Sequence, residues 1–300
     1  MKKLILGVAF IQLILSNVNA QYNSCAGQSR IENEKVEKKS VDVNTGETVV
    51  TYDYVPVKAK DDYGNVKGNQ FDLAVDGAFE GQTIVVLQLY SFGFDAPTAA
   101  LKEKGFSIYR MQGVPSPKEL QEALDKSCQF WLISGSSRML SDEHAEIIKS
   151  YFYSGKGVYI WGDNSPYHAD ADFISEKLLG ITMSGTYMGD QAVSFKTGGS
   201  TYGLRENHLI TTGLETVYEG ITISQIHDKE QKMTPLIWST DGNVVTAVYE
   251  DQGMRLIIDG GFTRLYNKWE SAGTDRYIKN AAAWLVNYER FGESVVGLKK

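Results

Sequence analysis

Gln129-Phe-Trp-Leu-Ile-Ser134 and Gly157-Val-Tyr-Ile-Trp161 are short apolar runs flanking a stretch in which Ala145, Ile148, Tyr151 and Phe152 recur at helical spacing. Apolar runs this short, bounded by Gly and Ser, read as strands covered on both faces. The stretch between them reads as an amphipathic helix, opened by Ser141-Asp-Glu and closed by Gly155. Strand, helix and strand in that order make a βαβ unit, so the two strands must run parallel.

The same rhythm extends in both directions. Toward the N-terminus, Thr83 to Tyr90 reads as a strand, and Asp95-Ala-Pro97 starts a helix that runs to Lys104 and stops at Gly105. Phe106 to Arg110 is a further strand. Ser116-Pro117-Lys118-Glu119 is a capping box with proline at the first helical position, ahead of Leu120 and Leu124 on one face. Toward the C-terminus, Ala171 to Leu179 reads as a short helix ended by Gly180. Asn243 to Tyr249, the turn Glu250-Asp-Gln-Gly253 and Met254 to Asp259 form an antiparallel hairpin. Thr274 to Phe291 is the last helix, with Tyr277, Ala281, Trp284, Leu285 and Tyr288 on its buried stripe. The region carrying His208 and His227 reads as irregular. The spacing thus predicts an α/β domain over 81–292, a mostly parallel sheet with helices on both faces and a closing antiparallel hairpin, followed by a tail over 293–300.

Residues 21–80 are polar, with charge runs at Glu32 to Lys39 and Lys58 to Asp62. Within them, Thr48 to Val57 is β-branched and aromatic, and Asn44-Thr-Gly46 and Asp62-Tyr-Gly64-Asn65 read as turns. This is expected to be a β-rich N-terminal arm packing on the main domain, with a strand able to pair with a neighbour's edge. Residues 1–20 have a basic start (Lys2, Lys3), an apolar run from Leu4 to Leu15 and a Val18-Asn-Ala20 cleavage pattern, which read as a signal peptide. The apolar run is shorter than the ~20 residues that cross a bilayer. A secreted or periplasmic chain beginning near Gln21, with no membrane span after leader removal, is the expectation. In an oxidising space, Cys25 and Cys128 are expected to pair.

The 300-residue chain carries 30 basic and 37 acidic side chains, a net charge of −7; losing Lys2 and Lys3 with the leader makes it 28 against 37, or −9. That balance, without any basic block, argues against nucleic acid as a partner. Two cysteines and histidines without HExxH spacing leave no zinc signature.

With these elements placed, the order from Thr83 to Phe291 resembles the class I glutamine amidotransferase-like fold, a flavodoxin-like family that includes the trehalose-utilisation-type proteins. The resemblance lies in the Thr83–Tyr90 strand, the Phe130–Ser134 strand with its Gly135-Ser136 loop, the Gly157–Gly162 strand into a sharp turn, and the hairpin closing on Asp259-Gly260-Gly261. It implies a cysteine nucleophile at the turn after Trp161 and a His-x-Glu pair after the closing strand. This chain has Gly162-Asp163-Asn164 and Asp259-Gly-Gly-Phe-Thr263 there. Cysteine amidotransfer needs a thiolate beside a histidine, so a pseudoenzyme is expected: no catalytic residues, on a degenerate amidotransferase-like domain.

The densest polar cluster, Gly162 to Asp172, follows one strand and precedes a helix at the carboxyl edge of the sheet, where open α/β sheets bind ligands. Asp163, Asn164, Tyr167 and His168 are candidate ligand-binding residues there. Ser134 and Ser136 are candidates from the neighbouring loop, and Asp259 and Arg264 from the closing one. Asp163, Asp170 and Asp172 are alternative oxygen ligands for a cation such as calcium, although their spacing does not match a calcium loop. His168 with Asp163 is the alternative acid–base pair of a secreted hydrolase. The bland alternative is structural, with Asp163 and Asn164 making a turn and Asp170 capping a helix. No cofactor is expected unless calcium is bound. The favoured reading is an exported, non-catalytic binding or structural protein with a protein or glycan partner; the rivals are that hydrolase and a calcium-dependent surface component.

Overall fold

The computed structural model describes residues 31–41, 45–58, 72–74, 76–269 and 273–286. The expected leader, Cys25, the Asp62–Asn65 turn, the end of the last helix and the 293–300 tail lie outside them. The arm contains β1 (Ile31–Val41) and β2 (Thr48–Lys58), paired antiparallel from Ile31↔Lys58 to Val41↔Thr48. Val36, Val49, Tyr52, Tyr54 and Val55 stand exposed, on both faces of the hairpin, whereas Leu73, Ala74, Ala78 and Phe79 at the end of the arm are buried in the core of the body.

The α/β body then follows in alternation: β3 (Thr83–Gln88), α1 (Asp95–Glu103), β4 (Ser107–Gln112), α2 (Pro117–Leu124), β5 (Gln129–Ile133), α3 (Asp142–Tyr153), β6 (Gly157–Trp161) and α4 (Ala169–Leu179). Six strands come next: β7 (Thr182–Met188), β8 (Ala192–Ser194), β9 (Gly203–Leu204), β10 (Thr216–Tyr218), β11 (Thr222–His227) and β12 (Thr234–Trp238). The hairpin β13 (Val244–Asp251) and β14 (Met254–Asp259) leads to α5 (Thr274–Leu285). The main sheet has eight strands in the order β4-β3-β5-β6-β14-β13-β12-β9. Strands β4, β3, β5, β6 and β14 run parallel, and β13, β12 and β9 extend the sheet antiparallel. This is the expected flavodoxin-like architecture.

The middles of β3, β5 and β6 are apolar at consecutive positions for a physical reason. Ile84, Val86, Trp131, Ile133, Tyr159 and Trp161 enter one core with α1 and α5. Val85, Leu87, Phe130, Leu132, Val158 and Ile160 enter the other, with α2, α3 and α4. Alternate side chains point to opposite faces, and helices cover both. The capping box before α2 is present: Ser116 Oγ accepts from Glu119 N at 3.3 Å, and Glu119 Oε2 accepts from Ser116 N at 2.8 Å. Gly180 closes α4 in the left-handed region at φ 74°.

The irregular stretch turns out to hold two small sheets, β7 with β11 and β8 with β10. Cys128 is a free, buried thiol at the foot of β5, not half of a bridge. Its Sγ donates to Thr83 O at 3.3 Å, and burial pushes the thiol up to about 12.

Residues 72–74 are bound to the body by buried charge. Lys104 Nζ, wholly buried, donates to Asp72 Oδ2 at 2.7 Å and to Ala74 O at 2.9 Å. Arg276 Nε reaches Asp72 Oδ1 at 2.6 Å, and Leu73 N donates to Asn280 Oδ1 at 2.7 Å. Taking one partner out of such a group leaves charge stranded without water. Asp72→Ala is expected to cost about 3 kcal/mol, the low end of the range for broken buried pairs. The low end applies because Asp76 still meets Lys104 and Gly213 O still meets Arg276. Urea unfolding measures it, and a loss well under about 1 kcal/mol would show that the cluster does not hold this segment.

Candidate functional site

Strand register sets the site. Gln88 pairs with Ile133, Ile133 with Trp161 and Trp161 with Asp259, so β3, β5, β6 and β14 all end along one line. The loops after them meet at the carboxyl edge of the sheet. Buried Gln88 shapes the first loop by donating from Nε2 to Tyr90 O and Phe92 O, both at 3.0 Å. Gly162 N donates to Asp259 O at 2.8 Å and Phe262 N to Gly162 O at 3.0 Å, which clasps the second loop to the last.

A crevice of about 200 Å³ opens there, lined by Tyr90, Asp163, Asn164, Tyr167, Ile221, Thr222, Phe262, Thr263 and Tyr266. Its aromatic wall is continuous. Tyr90 packs on Tyr167 and Phe262 with ring centres 5.0 and 5.4 Å apart, and Phe92 packs on Phe262 and Tyr266 at 5.8 and 4.5 Å. Asp163 lies at its base, 1% exposed. Its Oδ1 accepts from Asn164 N at 2.8 Å and its Oδ2 from Thr263 N at 3.1 Å. Burial raises its pKa to about 7, against the pull of those amides and of Arg264.

The other predicted residues divide. Asn164 and Tyr167 line the crevice, and Asn164 Oδ1 accepts from Thr222 Oγ1 at 2.8 Å. His168 stands at the N-cap of α4, with Nδ1 3.1 Å from the backbone carbonyl of Asp163 rather than from its carboxylate. Ser134 is wholly buried, and its Oγ accepts from Asp170 N and Ala171 N at 3.0 and 3.2 Å. It therefore caps α4 from the neighbouring loop and does not line the crevice. Ser136 is exposed and does not line the crevice.

Asp259 and Arg264 belong to the core, not to the crevice wall: both are 0% exposed. Arg264 Nη1 lies 3.2 Å from Asp259 Oδ2. That oxygen also accepts from Thr246 Oγ1 at 2.9 Å and Tyr277 OH at 3.0 Å, and the hydroxyls of Tyr159 and Tyr277 are 2.5 Å apart. Burial drives both phenols well above the ordinary tyrosine value.

The three candidate metal ligands do not converge. Asp170 Oδ1 accepts from Met139 N and Leu140 N, both at 2.8 Å, and Asp172 Oδ1 accepts from Met183 N at 2.7 Å. Each carboxylate serves a different loop, and no group of three such side chains able to hold a metal occurs among the described residues.

Sequence reading misses Tyr90, Thr222, Phe262, Thr263 and Tyr266. The glycines of Asp259-Gly-Gly are the available signal. A Cβ on Gly261 would sit 2.4 Å from Glu219 O, and one on Gly260 would sit 2.3 Å from Ser224 O. Only glycine lets the 219–224 segment press against the closing loop and bring Ile221 and Thr222 to the rim. Sequence reading also misses a serine–histidine contact: Ser184 Oγ and His227 Nε2 are 2.6 Å apart on the exposed β7–β11 pair.

No protein-family model matches the chain, and no curated protein matches it. Among solved structures, it is similar to a putative GMP synthase subunit from Thermoplasma acidophilum, with 13% identity, 71% of this chain and 98% of that one covered, and a TM-score of 0.49. It is similar to a putative ThuA-like protein from Bacteroides uniformis, with 13% identity, 69% and 92% covered, and a TM-score of 0.46. PurLQS from Thermotoga maritima is similar at 11% identity, with 70% and 100% covered and a TM-score of 0.41. At such identities the likeness is one of fold.

The raised pKa of Asp163 has a sign in stability. An acid that holds its proton more tightly folded than unfolded stabilises the fold at low pH, and that contribution is lost as pH rises from about 4 to about 7. Wild type is expected to lose more stability than Asp163→Asn between about pH 4 and pH 7.5, by a few kcal/mol. Urea midpoints for the two proteins across that range measure it, and parallel profiles would contradict it.

Proposed function

We propose that the chain is an exported binding protein without catalytic activity, whose carboxyl-edge crevice serves recognition. One observation carries the reading: where the resemblance calls for a thiolate and an imidazole–carboxylate pair, the chain has placed structural groups. At the turn after β6, Asp163 accepts backbone amides of two loops. After β14, Asp259 is consumed by Arg264 and a set of hydroxyls out of reach of solvent. His168 faces a carbonyl, with no hydroxyl or thiol hydrogen-bonded to it among the described residues. Acid–base or nucleophilic catalysis needs such a partner within hydrogen-bond reach. The reading of export rests on the leader-like first 20 residues. A calcium-dependent role draws no support from Asp163, Asp170 and Asp172, which are held apart.

The rival hydrolase has one specific observation in its favour, the Ser184–His227 contact. Among the described residues no carboxylate is hydrogen-bonded to that imidazole, so the orienting third member of a triad is missing. Assay of wild type against ester, amide and glycoside panels is expected to give no turnover. Turnover that disappears in His168→Ala or Ser184→Ala would overturn the binding reading.

A further inference from the structure

We propose that the crevice takes a small organic cation, a methylated ammonium, held between its aromatic side chains and the carboxylate of Asp163. This rests on the binding reading above and gives it a ligand class. Four of the nine lining residues are aromatic, Tyr90, Tyr167, Phe262 and Tyr266, and none is basic. Aromatic rings attract a desolvated cation through their negative faces and offer nothing comparable to an anion. The volume, about 200 Å³, is below the range of roughly 300–1,000 Å³ that accommodates drug-sized ligands. A ligand of few heavy atoms fits it.

The carboxylate supplies the second, independent argument. Asp259 and Asp163 are both buried beside Arg264, yet only Asp259 has the guanidinium within ion-pair distance. Asp163 has two backbone amides, the Thr263 side chain, the Thr222 hydroxyl at 3.4 Å and the more distant charge of Arg264. A buried carboxylate without a counter-charge is costly, and it neutralises by taking a proton unless a cation arrives. Asp163 lines the aromatic crevice, so a cation seated against it competes with the proton. Lys268 belongs elsewhere, with Nζ 2.6 Å from Asp190 Oδ1.

Binding therefore depends on pH. The groups facing Asp163 are Arg264 behind it, the phenols of Tyr90, Tyr167 and Tyr266 beside it, and the His168 ring at its backbone carbonyl. Tyr266 is pushed up to about 12 by burial and by Asp163 itself, so it stays neutral as Asp163 ionises.

Calorimetric titration of the full chain with tetramethylammonium chloride tests the proposal. Affinity is expected to fall roughly tenfold or more from about pH 8.5 to about pH 5.5. At the higher pH, Asp163→Asn is expected to weaken it by about tenfold, and Tyr266→Leu, at a residue 39% exposed that the fold tolerates losing, by several-fold. His168→Gln should keep the pH profile; a profile abolished by that change would overturn Asp163 as the titrating group. No heat with tetramethylammonium, or equal affinity for potassium, overturns the cation. If a neutral methyl glucoside binds instead, and Tyr266→Leu removes it, the cation fails while the binding reading stands. Turnover lost in His168→Ala or Ser184→Ala would instead fail the binding reading itself.

Discussion

The Asp259–Arg264 pair sits at the end of β14 where water does not reach, and the carboxyl edge of the sheet is organised around it. Asp259 would cost several kcal/mol if left bare in that position. Arg264, Thr246 and Tyr277 meet one of its oxygens, and Gly261 N donates to the other at 3.0 Å. To deliver its guanidinium, Arg264 must lie one turn beyond the strand, which dictates the tight 3-10 turn over Phe262–Leu265. Arg264 Nη2 then donates to Glu219 O at 2.8 Å, so the same side chain tethers the segment ahead of β11. One ion pair thereby fixes two walls of the crevice.

The consequences pass outward through backbone contacts. With the closing turn fixed, Thr263 offers its N–H to Asp163 and its hydroxyl accepts from Ile221 N at 2.8 Å. Phe262, anchored between Gly162 O and the Tyr90 and Phe92 rings, becomes the centre of the aromatic wall. The buried pair thus supplies geometry more than stability. A hydrophobic replacement of similar volume often leaves a protein as stable or more so, but it would lose the two tethers that shape the crevice.

The body of the fold is legible in the sequence because it obeys local rules. Runs such as Phe130-Trp-Leu-Ile133 have one interpretation when both faces must be covered, and Ser116 with Glu119 marks a helix start by its own hydrogen bonds. The strands between α4 and β13 are hard to read because β7, Thr182 to Met188, alternates buried and solvent-facing positions weakly and carries Gly185 at φ 92°. The crevice is half legible. Asp163, Asn164 and Tyr167 are neighbours in sequence and read as one cluster, whereas Tyr90, Phe262 and Tyr266 come from loops more than 170 residues apart. Nothing local marks a ring for a shared wall; only the alignment of strand ends brings the loops together. Asp259 and Arg264 fall on the wrong side of that wall when read from sequence, because a charge in a loop reads as exposed until its partner is known.

The two buried carboxylates at this edge differ in one respect that decides their roles. Asp259 is neutralised internally, so its environment is complete without any ligand. Asp163 is held by backbone amides and a threonine side chain, which compensate a charge only in part, and burial raises its pKa to about 7. The acid stands where the aromatic side chains of three loops line the crevice, beside a closing segment whose Gly260 and Gly261 let the 219–224 segment approach. The fold has its own ion pair at Asp259 and Arg264, and the proposed recognition rests on the acid that lacks one.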